Sequence, residues 1–278
     1  MRPAVGSAAP TGPRHFTFVA HAVAPSDKQQ TIPVDVYIPR SASTSGENTV
    51  LVALHGIGGN GGEFAGPLID LAEARGWVVV APTFAYDSWL DVEEITDDDL
   101  KAIAAVRTML AQLPSEAGLR FRSRVLLYSF SRGAQVAHRY ALLHPDEVLG
   151  VAALSAGAYT LPTAHLPAAD APRLDWPLGI ADIGTYSGQS FQPERLRQVH
   201  FFVGVGTRDT QEREVPRAWD TCSGTNRVAR ATAFAEDLEA IGVPVHYVQF
   251  PNAGHRETPE MRQAALDYLS DIAATSAG

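Results

Sequence analysis

A serine, an aspartate and a histidine, the three side chains that together can transfer an acyl group, stand in this chain at Ser131, Asp209 and His255. Ser131 belongs to the run VLLYSFSRG, residues 125–133, in which an apolar stretch passes directly into a helical pattern. A serine at such a junction sits on a tight strand-to-helix turn that pushes its hydroxyl above the sheet edge, and the turn needs small residues two positions to either side. Gly133 supplies one. Ser129 stands where a glycine is usual on the other side, and is small enough to fit. Ser129 is also a rival hydroxyl, but only Ser131 has glycine at plus two and the helix start, so Ser131 is the expected nucleophile and Ser129 a packing residue. Asp209 closes VGVGTRD and His255 closes FPNAGH, each just past an apolar run. A neutral imidazole at His255 could take the hydroxyl proton and return it to a leaving group, while the Asp209 carboxylate fixes its tautomer.

Acyl transfer also needs donors aimed at the oxygen that becomes negative. The glycine-rich HGIGGNGG, residues 55–62, follows the apolar TVLVAL and lets the backbone approach a substrate closely. The expected donors are the backbone N–H of Arg132, at a helix N-terminus, and that of Ile57, with Gly58 the less favoured choice and a substrate contact. A phosphate-binding reading of this loop fails for want of the lysine and Ser/Thr of a P-loop. His55 reads as a residue holding the loop. Phe84, Trp89, Phe130, Tyr159 and Tyr186 complete the substrate-contact candidates, as walls of an acyl or aryl pocket; ordinary core packing would explain most of them equally well. His138, His144, His165, His200 and His246 lack the strand-end setting of His255. Among the remaining acids Asp182 is the nearest rival to Asp209. No closely spaced ligand set suggests a metal.

The elements that must position these residues alternate. Residues 15–22 and 31–38 read as an antiparallel pair turning around Pro25–Asp27. Nearly all-apolar strands follow in TVLVALHG, WVVVAP, VLLYS, VLGVAALS and HFFVGVG, with VHYVQF beside them; strands of that kind are buried on both faces of a parallel sheet. Between them lie helices at 63–75, closed by Gly76, at 96–113, opened by Thr96 with Asp97–Asp99 in the first turn and ended by Pro114, and at 132–144. Further helices end at Gly242 and start at Thr258 and Pro259. The expected architecture is a doubly wound, mostly parallel eight-stranded sheet in one domain, residues 13–278, preceded by a disordered stretch, 1–12. Residues 158–198, with five prolines, break the alternation and read as a small lid over the crevice.

The chain has 278 residues and a formal net charge of −9. That balance lacks the basic footprint of a nucleic-acid partner. There is no long apolar run for a membrane span and no apolar leader, which points to a cytoplasmic protein or a secreted one already trimmed. Cys222 is the one cysteine, so no internal disulfide forms. A homodimer is compatible with these features.

With these residues in place, the chain from about Val34 to Ile272 resembles the α/β-hydrolase superfamily, and its HGIGGNG loop and long loop before the acid strand resemble the polyhydroxybutyrate-depolymerase and feruloyl-esterase-like group. That resemblance implies an acyl-enzyme mechanism on Ser131, Asp209 and His255 without cofactor, acting on a small-molecule ester of a small to medium acyl or aryl group. A serine peptidase or amidase of the same fold, and a ligand receptor that keeps the fold without catalysis, are the alternatives.

Overall fold

The computed structural model describes residues 12–23, 29–166 and 172–276. The turn around Pro25–Asp27, Pro167 and all but one residue of the stretch expected to be disordered lie outside these. The apolar runs become β3 (Glu47–Leu54), β4 (Trp77–Pro82), β6 (Val125–Phe130), β7 (Val148–Leu154) and β8 (His200–Gly206), with β9 (Val245–Phe250) at one edge. At the other edge β1 (Arg14–Val23) and β2 (Gln29–Ile38) form the antiparallel pair. The order is β1-β2-β4-β3-β6-β7-β8-β9, parallel from β4 onward. This is the eight-stranded, mostly parallel sheet expected; a ninth strand, β5 (Arg120–Phe121), adds two residues beside the start of β3.

Both faces of the sheet are covered, which is why its central strands could be read as unbroken apolar runs. One face packs on α3 (Val92–Ala117), α4 (Arg132–Leu143) and α8 (Arg227–Ala240). The other packs on α1 (Gly61–Ala65), α2 (Ile69–Arg75) and α9 (Pro259–Thr275). Short helices α5 (Gly184–Ser187), α6 (Pro193–Leu196) and α7 (Asp220–Ser223) lie in the connections.

Several boundaries differ from expectation for physical reasons. The helix expected at 63–75 is split by a 3-10 turn at Gly66–Leu68, where Pro67 can offer no N–H. α3 starts four residues before Thr96. Asp91 is its N-cap, accepting from the N–H groups of Glu93 and Glu94, while Thr96 lies inside the helix and bonds back to Val92 O at 2.7 Å. α3 also continues through Pro114 for one more turn, and Gly118 caps it at φ 66°. Asp98 and Asp99 do not serve the helix dipole: they are buried and face α4.

The described part of the connection 158–198 is internal at its start and in places further on. Tyr159, Leu161, Leu174, Trp176, Ile180 and Ile183 belong to the main core. Its later part returns to the amino edge of the sheet: Ile183, Ser187 and Leu196 share a cavity with His144 and Glu147, past the far end of α4. Twelve helical residues separate that end from Ser131, roughly 18 Å. The segment from Gly184 to Gln198 therefore does not roof the site, contrary to the lid expectation. Among the described residues no helix is long and apolar enough to cross a membrane.

Candidate active site

Three strand ends converge at the carboxyl edge. β6 delivers Ser131 at φ 55° and ψ −115°, a conformation that costs energy for any residue with a Cβ and that a sharp turn into α4 enforces. The turn is pinned by Ser131 N–H donating to Leu154 O at 2.9 Å. Gly133 is essential to it: a Cβ there would meet Leu54 O at 2.0 Å. Ser129 is fully buried and its hydroxyl donates to Ala152 O at 2.6 Å, so the residue in the usual glycine position packs sideways onto β7 rather than into the turn.

Ser131 Oγ lies 3.0 Å from His255 Nε2, and His255 Nδ1 lies 2.8 Å from Asp209 Oδ2. The carboxylate fixes Nδ1 as the protonated nitrogen, which leaves Nε2 bare toward the serine hydroxyl. Asp209 has no exposed side-chain surface and His255 keeps a quarter of its own, so the carboxylate is shielded and the imidazole can be reached from outside. Phe130 stacks on the His255 ring at 5.1 Å between centroids, supporting the imidazole. The histidine loop is tied to β6 by Tyr128, whose hydroxyl donates to Glu257, itself paired with Arg262.

The loop after β3 lies against Ser131: a Cβ on Gly56 would come 3.2 Å from Ser131 Cβ. Gly59 N–H closes a turn onto Gly56 O at 3.1 Å, and Gly58 takes φ 66°. His55 holds this loop, as expected. It contacts Gly56 O through Nδ1 at 2.6 Å and accepts Phe84 N–H on Nε2 at 2.9 Å, and burial pushes its pKa below the usual histidine range. Arg132 is the first residue of α4, where N–H groups have no partner within the helix. Its guanidinium points away into the core, 2.8 Å from Asp99, 3.5 Å from Asp98 and over the Tyr86 ring. Arg139 also pairs with Asp99.

The candidates for substrate contact separate. Ile57 and Trp89 are exposed, at 37% and 45%. Phe84 is buried beside His55 and lines a cavity of about 410 Å³ with Ile32, Pro33, Tyr86 and Asp98. Tyr159 is wholly buried, its ring stacked on Phe234 at 4.6 Å and packed on His138, and it is a core residue rather than a pocket wall. Tyr186 packs on Trp176 in the returning part of the connection, away from Ser131. Asp182 accepts Trp176 N–H at 2.7 Å and is occupied there. Trp219 anchors its loop by donating to Tyr159 O at 2.7 Å. Sequence reasoning missed Arg227, whose Nη1 lies 3.1 Å from Asp209 Oδ1, and missed the Arg132–Asp99–Arg139 group.

Doubly wound sheet, strained serine at the β6–α4 turn and strand-end placement of the acid and histidine define the α/β-hydrolase fold. Solved structures agree. A poly(aspartic acid) hydrolase-1 from Sphingomonas sp. KT-1 superposes with a TM-score of 0.67 at 20% identity over 92% of this chain and 97% of its own. A ferulic acid esterase gives 0.63 at 16% identity, covering 95% and 99%. Brefeldin A esterase, a bacterial homologue of human hormone-sensitive lipase, gives 0.58 at 19% identity, covering 98% and 80%. No protein-family model and no curated protein matches the sequence. At these identities the likeness carries the fold; substrate is a separate matter.

Proposed function

We propose that this protein is a serine hydrolase that cleaves carboxylic esters of small to medium acyl or aryl groups through an acyl-enzyme. The observation that carries the reading is the unbroken line Ser131 Oγ–His255–Asp209, with contacts of 3.0 and 2.8 Å, at a strained turn. In acylation the Ser131 proton passes to His255 Nε2 as Oγ bonds to the ester carbon. The oxygen that becomes negative meets the N–H groups of Arg132 and Ile57. The imidazolium then protonates the departing alkoxide as the C–O bond breaks. Water, losing its proton to His255, attacks the acyl-Ser131 ester, and His255 returns that proton to Ser131 Oγ as the acyl C–Oγ bond breaks and the acid is freed. The preference for apolar acyl groups rests on the rim. Among the described residues the exposed large hydrophobics are Val19, Ile57, Trp89 and Leu90, and the last three stand on carboxyl-edge loops. Leu90 and Val92 face Val215, Pro216 and Ala218 across a cavity of about 570 Å³.

The test is hydrolysis of p-nitrophenyl esters from acetate to long acyl, with fluorophosphonate labelling alongside. Wild type should turn over the shorter esters, and Ser131→Ala should lose on the order of 10⁴-fold. Labelling without ester turnover would move the reading to an amidase, whereas neither labelling nor turnover by folded protein would leave a receptor.

A further inference from the structure

We propose that Arg227 is a positioning residue for the Ser131–His255–Asp209 array: it clamps the second oxygen of Asp209 and thereby sets how firmly His255 holds a proton. The inference rests on the hydrolase reading above. Asp209 has two oxygens and each has one charged or polarised partner, His255 Nδ1 on Oδ2 at 2.8 Å and Arg227 Nη1 on Oδ1 at 3.1 Å. With no side-chain exposure on Asp209 and 6% on Arg227, solvent cannot stand in for either. The clamp is itself anchored. Arg227 Nη2 donates to Glu214 O at 2.9 Å, and Nη1 lies 3.4 Å from Glu214 Oε2.

Arg227 is also in a place that local rules disfavour. It is the first residue of α8, directly after the N-cap Asn226, and that first turn carries no acid. A cation at the positive end of a helix is unfavourable. Departures of this kind, retained in a buried position, concentrate where a site demands them. Arg230, one turn on, needs no such explanation because Asp220 and three carbonyls occupy it.

The electrostatic consequence has a definite sign. The groups around Asp209 are Arg227 from α8, backed by Glu214 from the loop after β8, His255 from the loop after β9 and the Tyr159 phenol, which burial keeps neutral. Arg208 and Arg256 adjoin the acid and the base in sequence and are exposed. A guanidinium on the far oxygen of Asp209 opposes a second positive charge on the imidazole. Removing it should let His255 keep its proton to higher pH. Removing the Glu214 charge, which partly offsets Arg227, should do the reverse.

The experiment follows the rate of fluorophosphonate labelling against pH, with the His255 imidazole titration read by NMR on the same proteins. Arg227→Met should shift the acid limb upward by about one pH unit, so that well below the limb labelling is about tenfold slower. Arg227→Lys should recover part of the shift. Glu214→Gln, whose carboxylate is 39% exposed, should move the limb downward by a smaller amount. Folded Arg227→Met with an unmoved limb would overturn the proposal, as would Arg227→Met and Glu214→Gln shifting the same way. Should Arg227→Met fail to fold, an unmoved limb in Glu214→Gln has the same force. The NMR midpoint needs no turnover or labelling, so it decides the role of Arg227 even where the hydrolase reading fails.

Discussion

Gly133→Ala is the sharpest probe of how the Ser131 turn is built. The added Cβ would lie 2.0 Å from Leu54 O, 2.5 Å from Leu54 C and 2.6 Å from His55 O. Ordinary contact begins near 3.4 Å, so something must move by more than an ångström. Nothing soft is available. The contacted atoms are the backbone where β3 ends and the glycine-rich loop begins, and Leu54 is held in the sheet by pairing with Ser129. The helix side is no freer, because Ser131 N–H is bonded to Leu154 O and Ala134 N–H to Ser131 O. Overpacking of a filled interior costs about 1–3 kcal/mol, and backbone partners put this case at the upper end. For a chain of this size that is a drop in Tm of roughly 6–12 °C. The loss in function should be larger than the loss in stability. The displaced loop carries Gly56, packed against Ser131, and Ile57, and misplacing a donor by about 1 Å costs on the order of 10²-fold in rate. Calorimetry together with kcat/KM on p-nitrophenyl acetate reads both effects. A variant within threefold of wild-type activity and within 2 °C of its Tm would refute the close-approach account of the elbow.

Ser129→Ala removes a buried hydrogen bond to Ala152 O and should cost about 1 kcal/mol by chemical denaturation, with kcat/KM within twofold; a collapse of activity would make Ser129 more than a packing residue. Asp99→Asn leaves Arg132 and Arg139 short of a buried counter-charge and should cost about 3–5 kcal/mol, read as a Tm lower by on the order of 10 °C. His138 is wholly buried, its Nδ1 on Ala134 O and its Nε2 accepting Thr160 N–H, and burial holds its pKa well below the histidine range. The unfolded chain therefore takes up a proton at about pH 6.5 that the folded chain does not. Stability is then full above that pH and falls below it, by up to about 1.4 kcal/mol per pH unit for this residue. His138→Gln should lessen the loss of urea midpoint between pH 7.5 and 5.5, and an unchanged pH dependence would contradict this.

The sheet was legible because burial on both faces leaves a simple trace, a run of apolar residues with no alternation. The meeting of Ser131, Asp209 and His255 was legible because each follows such a run, and the loop glycines because a close approach to Ser131 excludes side chains. Asp98 and Asp99 misled, since acids near a helix start usually answer the dipole. Their spacing held the clue: Ile95, Asp99, Ala102, Ile103 and Val106 fall on one helical face, and that face is buried. Arg227 gave no comparable signal. Its partner Asp209 is 18 positions away across two loops, and no periodicity links them. Tyr159 is taken up by packing on Phe234 and His138, and Tyr186 lies in the part of the β7–β8 connection that returns to the opposite edge of the sheet.

The acids under the elbow bear on how charge is handled at the site. Arg132, whose backbone N–H is the proposed oxyanion donor, has its guanidinium turned into the core, where Asp98 and Asp99 face Arg132 and Arg139. Two acids against two guanidiniums leave little net field from this group. On the proposed mechanism the developing oxyanion is therefore held by aligned backbone dipoles of α4 and the loop after β3, not by the nearby arginine charge. The buried pairs fix where the donor points, a use of ion pairs that does not require them to add stability. Asp209 is handled differently: its single guanidinium, Arg227, is shared with the part-exposed Glu214 and is not matched by a second buried acid. One arginine group joins two buried acids to two guanidiniums and sets geometry; the other joins one buried acid to one guanidinium that a part-exposed carboxylate partly offsets, beside the imidazole that the proposed mechanism has pass a proton back and forth.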